Sequence, residues 1–348
     1  MPEASKNLAQ GESPGTVSLG PTPTVSPRTA KRKVGLHWRD LAPFLALVAL
    51  SLLIDLLNPR FLEVNNLIRI ANSAAIPLVL AIGATFIIVL GSIDLSIEGG
   101  LAVGSLATAL LVQNDVNANH LTWLGPPLAV LAGAVMGGVN GVIHVGLRVP
   151  SFMATLGTWF VGVGLATIVL GGATIRVTDP AIRSIALVRW LNLPIAVWVS
   201  IGALLVAWLY ERYTVIGRHM YAIGGGEDLA LLSGVRVPGV KIAVFIIAGM
   251  FYGLGGVLSA AQLGESNAEL GSGRLFAAIT AVVVGGTALT GGEGGVLNTL
   301  VGVLIVSVLA NGMVLLGISP YLQQAAQGIL IIIAVALSID RKRLKIVK

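Results

Sequence analysis

The chain has 348 residues, 55% of them hydrophobic and only 11% charged, with no cysteine. A soluble domain of this length is about 45–50% apolar and about 25% charged. The composition therefore predicts an integral membrane protein, and it excludes disulfide, thiolate-metal and cysteine-nucleophile chemistry.

The net charge of +6 does not point to nucleic acid, because the basic residues cluster at segment ends, where they act as topology signals. Residues 1–30 are rich in Pro, Ser, Thr and Gly and carry no periodic apolar pattern, which predicts a disordered polar tail. Lys31, Arg32, Lys33 and Arg39 then precede the first apolar run, 41–57. A cleavable signal has a shorter apolar region nearer the terminus and a small-residue site behind it. This run reads instead as an uncleaved first span.

A spanning helix needs about 20 mainly apolar residues. By that measure spans are expected at 41–57, 71–90, 97–112, 126–146, 151–172, 194–210, 241–263, 274–290, 296–317 and 320–338. The predicted fold is an all-α polytopic membrane protein of about ten transmembrane helices. Its membrane domain covers 31–340 and ends in a basic tail, 341–348. An even number of spans puts both termini on one side. This topology leaves only Arg60, Arg69, Arg176, Arg183, Arg189 and Arg274, of 22 Lys and Arg, on the other side. The bias assigns both termini to the cytoplasm, and the expected location is the plasma (inner) membrane, as a multi-pass protein.

One outside loop, 173–193, is long. Asp179 followed by Pro180 reads as an N-cap and first helical position. Ile182, Ile185, Ala186 and Trp190 recur at helical spacing, which predicts an interfacial helix at the outer surface.

The longest polar interruption is 211–241, on the cytoplasmic side. After Gly224, Gly225 and Gly226 come Glu227, Asp228, Leu229, Ala230, Leu231, Leu232, Ser233 and Gly234. Two acids in a first turn suit the positive end of a helix, and Gly234 suits the residue that ends it. About two turns of apolar-faced helix on the cytoplasmic loop 212–240 read either as a docking element or as a plain capped surface helix.

Two segments repeat. Asn140-Gly141, Gly146 and Pro150 match Asn311-Gly312, Gly317 and Pro320 at nearly constant offset. In the predicted topology they run in opposite directions, as expected of two inverted five-helix halves. A second pair, Gly91-Ser-Ile-Asp94-Leu-Ser96 and Gly285-Gly-Thr-Ala-Leu-Thr290, each leads into a Glu-Gly-Gly. It does not fit the inverted scheme, and it marks only a shared need for broken backbone.

Gly-interrupted apolar segments are the best sequence pointer to a transport site. Asp94 and Glu98 beside the first break, and Glu293 beside the second, read either as pathway groups or as caps on helix N-termini. Neutral polar residues fit a passage for a polar, uncharged solute. Asn72 and Ser73 open the second span, and Ser96 lies at the break. Thr155 and Thr158 share a face of the fifth span, and Gln323, Gln324 and Gln327 share a face of the tenth. Asn140 and Asn311 mark the repeat. Singly, each also fits interhelical bonding, worth about 0.6 kcal/mol on average. The chain has no P-loop of the G-x-x-x-x-G-K type followed by Ser or Thr, no His spacing suited to a metal and no intramembrane acid–base pair suited to a proton relay.

Several passages taken in order resemble one family. They are Gly91-Ser-Ile-Asp-Leu-Ser96; Pro150-Ser-Phe-Met-Ala-Thr-Leu-Gly157; Ile216-Gly-Arg-His-Met-Tyr-Ala-Ile-Gly-Gly225; Leu232-Ser-Gly-Val235; Val284-Gly-Gly-Thr-Ala-Leu289 with Gly291 and Gly292; and Leu309-Ala-Asn-Gly-Met313 with Leu315-Leu-Gly317. From about Pro43 to Ile339 the chain is similar to permease subunits of ATP-binding-cassette importers of the monosaccharide type, the ribose, xylose and autoinducer-2 class. The resemblance implies a non-enzymatic transport subunit for a sugar or sugar-like solute, acting with a second copy or a paralogous permease. It implies a cytoplasmic ABC ATPase and an extracytoplasmic solute-binding protein as partners. No cofactor is expected on this chain; ATP and magnesium belong to the ATPase. By resemblance, Glu227, Asp228, Leu229, Ala230, Leu232, Ser233 and Gly234 form the coupling helix that docks on it. The chain departs from the pattern in its long polar tail and in Arg274, Leu275 and Phe276, where such permeases often carry acids. An ion-coupled secondary transporter is the alternative reading. A membrane enzyme has no supporting constellation.

Overall fold

The computed structural model describes residues 38–117 and 119–338. The expected disordered tail (1–30), the basic residues Lys31, Arg32 and Lys33, and the basic tail (341–348) lie outside the described residues. The elements are α1 (Trp38–Leu57), α2 (Val64–Val89), α3 (Ile97–Leu111), α4 (Gly125–Gly146), α5 (Ser151–Leu170), α6 (Pro180–Leu187), α7 (Ile195–Tyr213), α8 (Val215–Gly225), α9 (Glu227–Leu232), α10 (Val237–Leu263), α11 (Arg274–Val284), α12 (Val296–Leu315) and α13 (Pro320–Ser338). Six of them, α2, α4, α5, α7, α10 and α12, are long and apolar enough to cross a membrane.

Each predicted span overlaps a helix, and two boundaries move by more than a turn and a half. The second begins at Val64 rather than 71. Its polar first turns are tolerated because Asn66 is buried and bonded, donating to the Phe61 carbonyl at 2.8 Å and to Asn311 Oδ1 at 2.9 Å. The eighth, α11, ends at Val284 rather than 290, where Gly285 and Gly286 turn the chain back toward α12. The predicted helix after Asp179 is present as α6. Asp179 Oδ1 accepts from the N–H groups of Ala181 and Ile182, and Ile182 is buried. Arg183 reaches the Ala261 carbonyl at 2.8 Å, so α6 is tied to the end of α10. Trp190 leaves the helical pattern for a two-residue ladder with Leu193.

The core is α2 and α10, buried along most of their length. Around them, packing recurs in matched pairs. α3 packs on α4 and α5, as α11 packs on α12 and α13; α4 packs on α10, as α12 packs on α2; α3 packs on α10, as α11 packs on α2. The most extensive seam joins α4 to α10. A Cβ on Gly137 would sit 2.1 Å from the Phe245 carbonyl oxygen, so only a glycine lets the two backbones meet there. Small residues serve this purpose in lipid, where apolar burial does not drive helices together.

The loops sort to two ends. At one end, Ile175–Arg176 pairs antiparallel with Glu265–Ser266, Asn114 bridges to Val177, and Asn58 Nδ2 donates to the Leu315 carbonyl at 3.2 Å. At the other, basic end, the Gly292 N–H donates to the Val89 carbonyl at 2.8 Å, the Ile93 N–H to Ser151 Oγ at 3.1 Å, and the Val296 N–H to Glu211 Oε2 at 2.9 Å. The same loops share an end in the topology read from the sequence.

Candidate functional site

Two of the predicted spans, α3 and α11, are short helices, and they meet. Residues 93–96 rise from the basic end alongside α5 without helical bonding: the Leu95 N–H donates to Thr155 Oγ1 at 2.9 Å. α3 therefore begins in the middle of the bundle, where Gly99 abuts Trp159 of α5 and Gly100 abuts Tyr252 of α10. The mirror element descends from the opposite end. Ser266 Oγ accepts from Ser105 Oγ at 2.9 Å, and Gly271 lies against the backbone of Glu98. There α11 begins. Glu98, buried in the first turn of α3, accepts from the Leu275 N–H of α11 at 3.1 Å through Oε1. The acid thus caps the opposing half-helix, whose positive end favours it. Arg274 is partly buried beside it. A carboxylate and a guanidinium inside a membrane domain cost least when they face each other.

Below this junction lies a buried polar cluster. Asp94 Oδ1 accepts from the Ser96 N–H at 2.7 Å and from Ser96 Oγ at 2.6 Å. Asn140 Nδ2 donates to Ser96 Oγ at 2.8 Å, and Thr158 Oγ1 donates to Asn140 Oδ1. Thr155 Oγ1 also donates to the Ser151 carbonyl at 2.9 Å. The Tyr252 hydroxyl faces Asp94 without hydrogen-bond geometry. The structure thus brings four of the passage candidates, Asp94, Ser96, Thr155 and Thr158, into one network. They are buried and bonded to one another, and together they hold the unwound segment before α3.

The remaining candidates lie elsewhere. Asn311 and Asn66 exchange reciprocal amide bonds of 2.9 and 3.1 Å between α12 and α2. Asn72 keeps a buried Oδ1 without a partner among the described residues. Gln323 Nε2 donates to the Ile318 carbonyl at 2.8 Å, ahead of α13. Gln324 is exposed and Gln327 half-buried. A recess of about 460 Å³ opens at that end among Arg60, Glu63, Asn65, Asn66, Arg69 and Leu315.

At the basic end, α9 is a separate six-residue helix. The Gly234 N–H donates to the Leu231 carbonyl at 3.0 Å and the Val235 N–H to the Ala230 carbonyl at 3.1 Å. That is the double bond pattern of a Schellman stop, with Gly234 at φ +82°. Ser233 Oγ donates to the Leu229 carbonyl at 2.8 Å. Glu227 forms a bidentate ion pair with Lys241 of α10, both bonds 2.8 Å, and Asp228 is exposed. Ala230 alone is buried; Leu229, Leu231 and Leu232 are 70%, 59% and 83% exposed. Three large apolar side chains thus stand in solvent on a helix fixed at both ends. Beside them a recess of about 360 Å³ is lined by His144, Arg148, Pro150, Glu227, Pro238 and Lys241, among others.

The glycines before α9 are held by packing. Gly224 and Gly225 end α8, and a Cβ on Gly224 would sit 1.9 Å from the Val89 carbonyl oxygen. Gly91 and Gly291 close the same junction. The second repeated pair, 91–96 and 285–290, is thus used differently in its two copies: Gly91 packs at α8, whereas Gly285 and Gly286 face Asn298 of α12 and only the following Gly291 and Gly292 reach α8. Sequence reading passed over Glu211 and Tyr221, which bond each other here at 2.5 Å. An acid in a helix's last turn was the available signal, since it sits badly with the dipole unless it reaches another element.

Residues 66–335 match the family of branched-chain amino acid transport system permease components. The chain belongs to this permease family. It is 36% identical to the ribose import permease protein RbsC of Bacillus subtilis (strain 168), over 88% of this chain and 94% of that one. With RbsC of Escherichia coli (strain K12) it shares 35% identity over 92% and 99%. With the galactose/methyl galactoside import permease protein MglC of Haemophilus influenzae it shares 33% over 84% and 92%. No solved structure matches the chain. The permease is a multi-pass protein of the inner membrane, in keeping with its family and with six helices long and apolar enough to cross a bilayer.

Proposed function

We propose that the chain is the membrane-spanning subunit of an ATP-binding-cassette importer that carries a sugar or sugar-like polar solute into the cytoplasm. The observation that carries this reading is its similarity, over nearly its whole length, to permeases named for ribose and galactose import. The subunit is not itself an enzyme. ATP and magnesium are held by a separate cytoplasmic ATPase, an extracytoplasmic binding protein delivers the solute, and a second copy or a paralogous permease completes the passage.

The reading includes ten spans in two inverted five-helix halves, with both termini in the cytoplasm. The matched packing of α3, α4 and α5 with α11, α12 and α13 supports it, as does the basic bias of one end. α9 is the coupling helix. A short helix keeps three leucines in water only at a cost of burial forgone, about 1.5–3 kcal/mol for each, and docking into an apolar groove of the ATPase recovers it. The polar network of Asp94, Ser96, Thr155 and Thr158 supports the half-helix beside the passage.

The test is reconstitution in proteoliposomes with the ATPase and binding protein of the same transport system. Uptake of labelled ribose or galactose should require ATP and all three components. Accumulation by the permease alone on an ion gradient would overturn the reading.

A further inference from the structure

The coupling helix needs a mechanical route into the bundle, and the basic end supplies one. Glu211 lies in the last turn of α7 and Tyr221 in the middle of α8. Glu211 Oε2 accepts from the Val296 N–H at 2.9 Å, the first residue of α12. Glu211 Oε1 accepts from the Tyr221 hydroxyl at 2.5 Å. The same hydroxyl lies 2.9 Å from the Gly294 carbonyl, in the turn that leads into α12. A phenol has one proton, so Tyr221 holds either the carboxylate or the carbonyl at any moment. Burial first, and the adjacent Glu211 second, push the phenol's titration well above its ordinary range, so the proton stays available for that exchange.

Everything around this link is stiff. Thr214 makes the corner between α7 and α8, accepting from the Gly217 N–H at 3.0 Å and donating to the Tyr210 carbonyl at 2.7 Å. Met220 and Ile223 of α8 are buried, Gly224 is wedged against Val89, and one residue, Gly226, separates α8 from α9. The Gly226 N–H bonds back to the Ala222 carbonyl at 3.2 Å and its own carbonyl accepts from the Ala230 N–H at 3.0 Å, so a displacement of α9 is passed to α8. Tyr221 and Glu211 are the polar contact through which α8 and α7 hold the start of α12.

We infer that Glu211 and Tyr221 are positioning residues that transmit movement of the coupling helix to α12, with the Tyr221 proton shifting between Glu211 and Gly294 as the two arrangements exchange. This inference rests on the coupling role given to α9 above. Its test uses the full importer in proteoliposomes, with ATP hydrolysis and solute uptake measured together. Tyr221→Phe keeps the ring and removes the proton; Glu211→Gln keeps the shape and removes the charge. In both, hydrolysis should continue while solute imported per ATP falls about tenfold, the effect of losing one charge-assisted hydrogen bond. An unchanged ratio in the intact complex would overturn the inference, as would loss of the ATPase from the complex or failure of both variants to fold, which mark a purely structural role. Failure of the unmodified importer to take up sugar would instead count against the function itself.

Discussion

At the scale of single residues, Glu98 shows how a partner changes the meaning of a side chain. Its own first turn could have used it as a cap. Instead it bonds the Leu275 N–H, 177 positions away in the chain, and joins two half-helices inside the bundle. Leaving that buried donor unmet costs about 1–3 kcal/mol. Glu98→Ala should therefore lower the thermal stability of the purified permease clearly, while Glu98→Gln, which retains an acceptor, should lose less. Thermal unfolding in detergent measures both, and equal losses would show that the bond to α11 is not the source. That an acid stood beside a backbone break was legible in the sequence; which helix it served was not, because nothing local to residues 91–100 encodes the approach of α11.

At the scale of elements, α9 was the most legible feature. Its start, its exposed leucines and its stop at Gly234 follow from local rules of dipole, pattern and left-handed backbone, and such rules act within a few residues. The α4–α10 seam was the least legible. Every glycine looks alike in sequence, yet Gly137 faces the Phe245 carbonyl and Gly157 faces nothing within 4 Å. Gly137→Ala should destabilise the permease by about 1–3 kcal/mol through overpacking. Gly157→Ala should be neutral or stabilising by up to about 1 kcal/mol, from helix propensity. Comparable unfolding temperatures for the two variants would contradict the seam.

At the scale of the molecule, the question is which loops share a side of the membrane. The chain has no cysteine, so single introduced cysteines report cleanly. Ser233→Cys, next to the stop of α9, should react with an impermeant maleimide only from the cytoplasmic face of oriented vesicles. Thr178→Cys, on the bridge between Val177 and α6, should react only from the opposite face. Both positions are exposed. Labelling of the two from one face would refute the inverted arrangement.

The sequence by itself determined the membrane class, the positions of the long apolar helices and their sorting to two ends, though not the amphipathic helix α8. These depend on the count of apolar residues and the placement of charge, which a bilayer reads segment by segment. It marked Asp94, Ser96, Thr155 and Thr158 as polar where lipid is expected, without indicating that they touch. Only the tertiary structure decided that α3 and α11 are half-helices that meet at Glu98, and that Asn311 pairs with Asn66 rather than joining Asp94. It alone placed Gly91, Gly224 and Gly291 at one junction. Such choices turn on which backbones approach within contact of one another. That is fixed by the mutual packing of helices far apart in the chain, and no local pattern carries it.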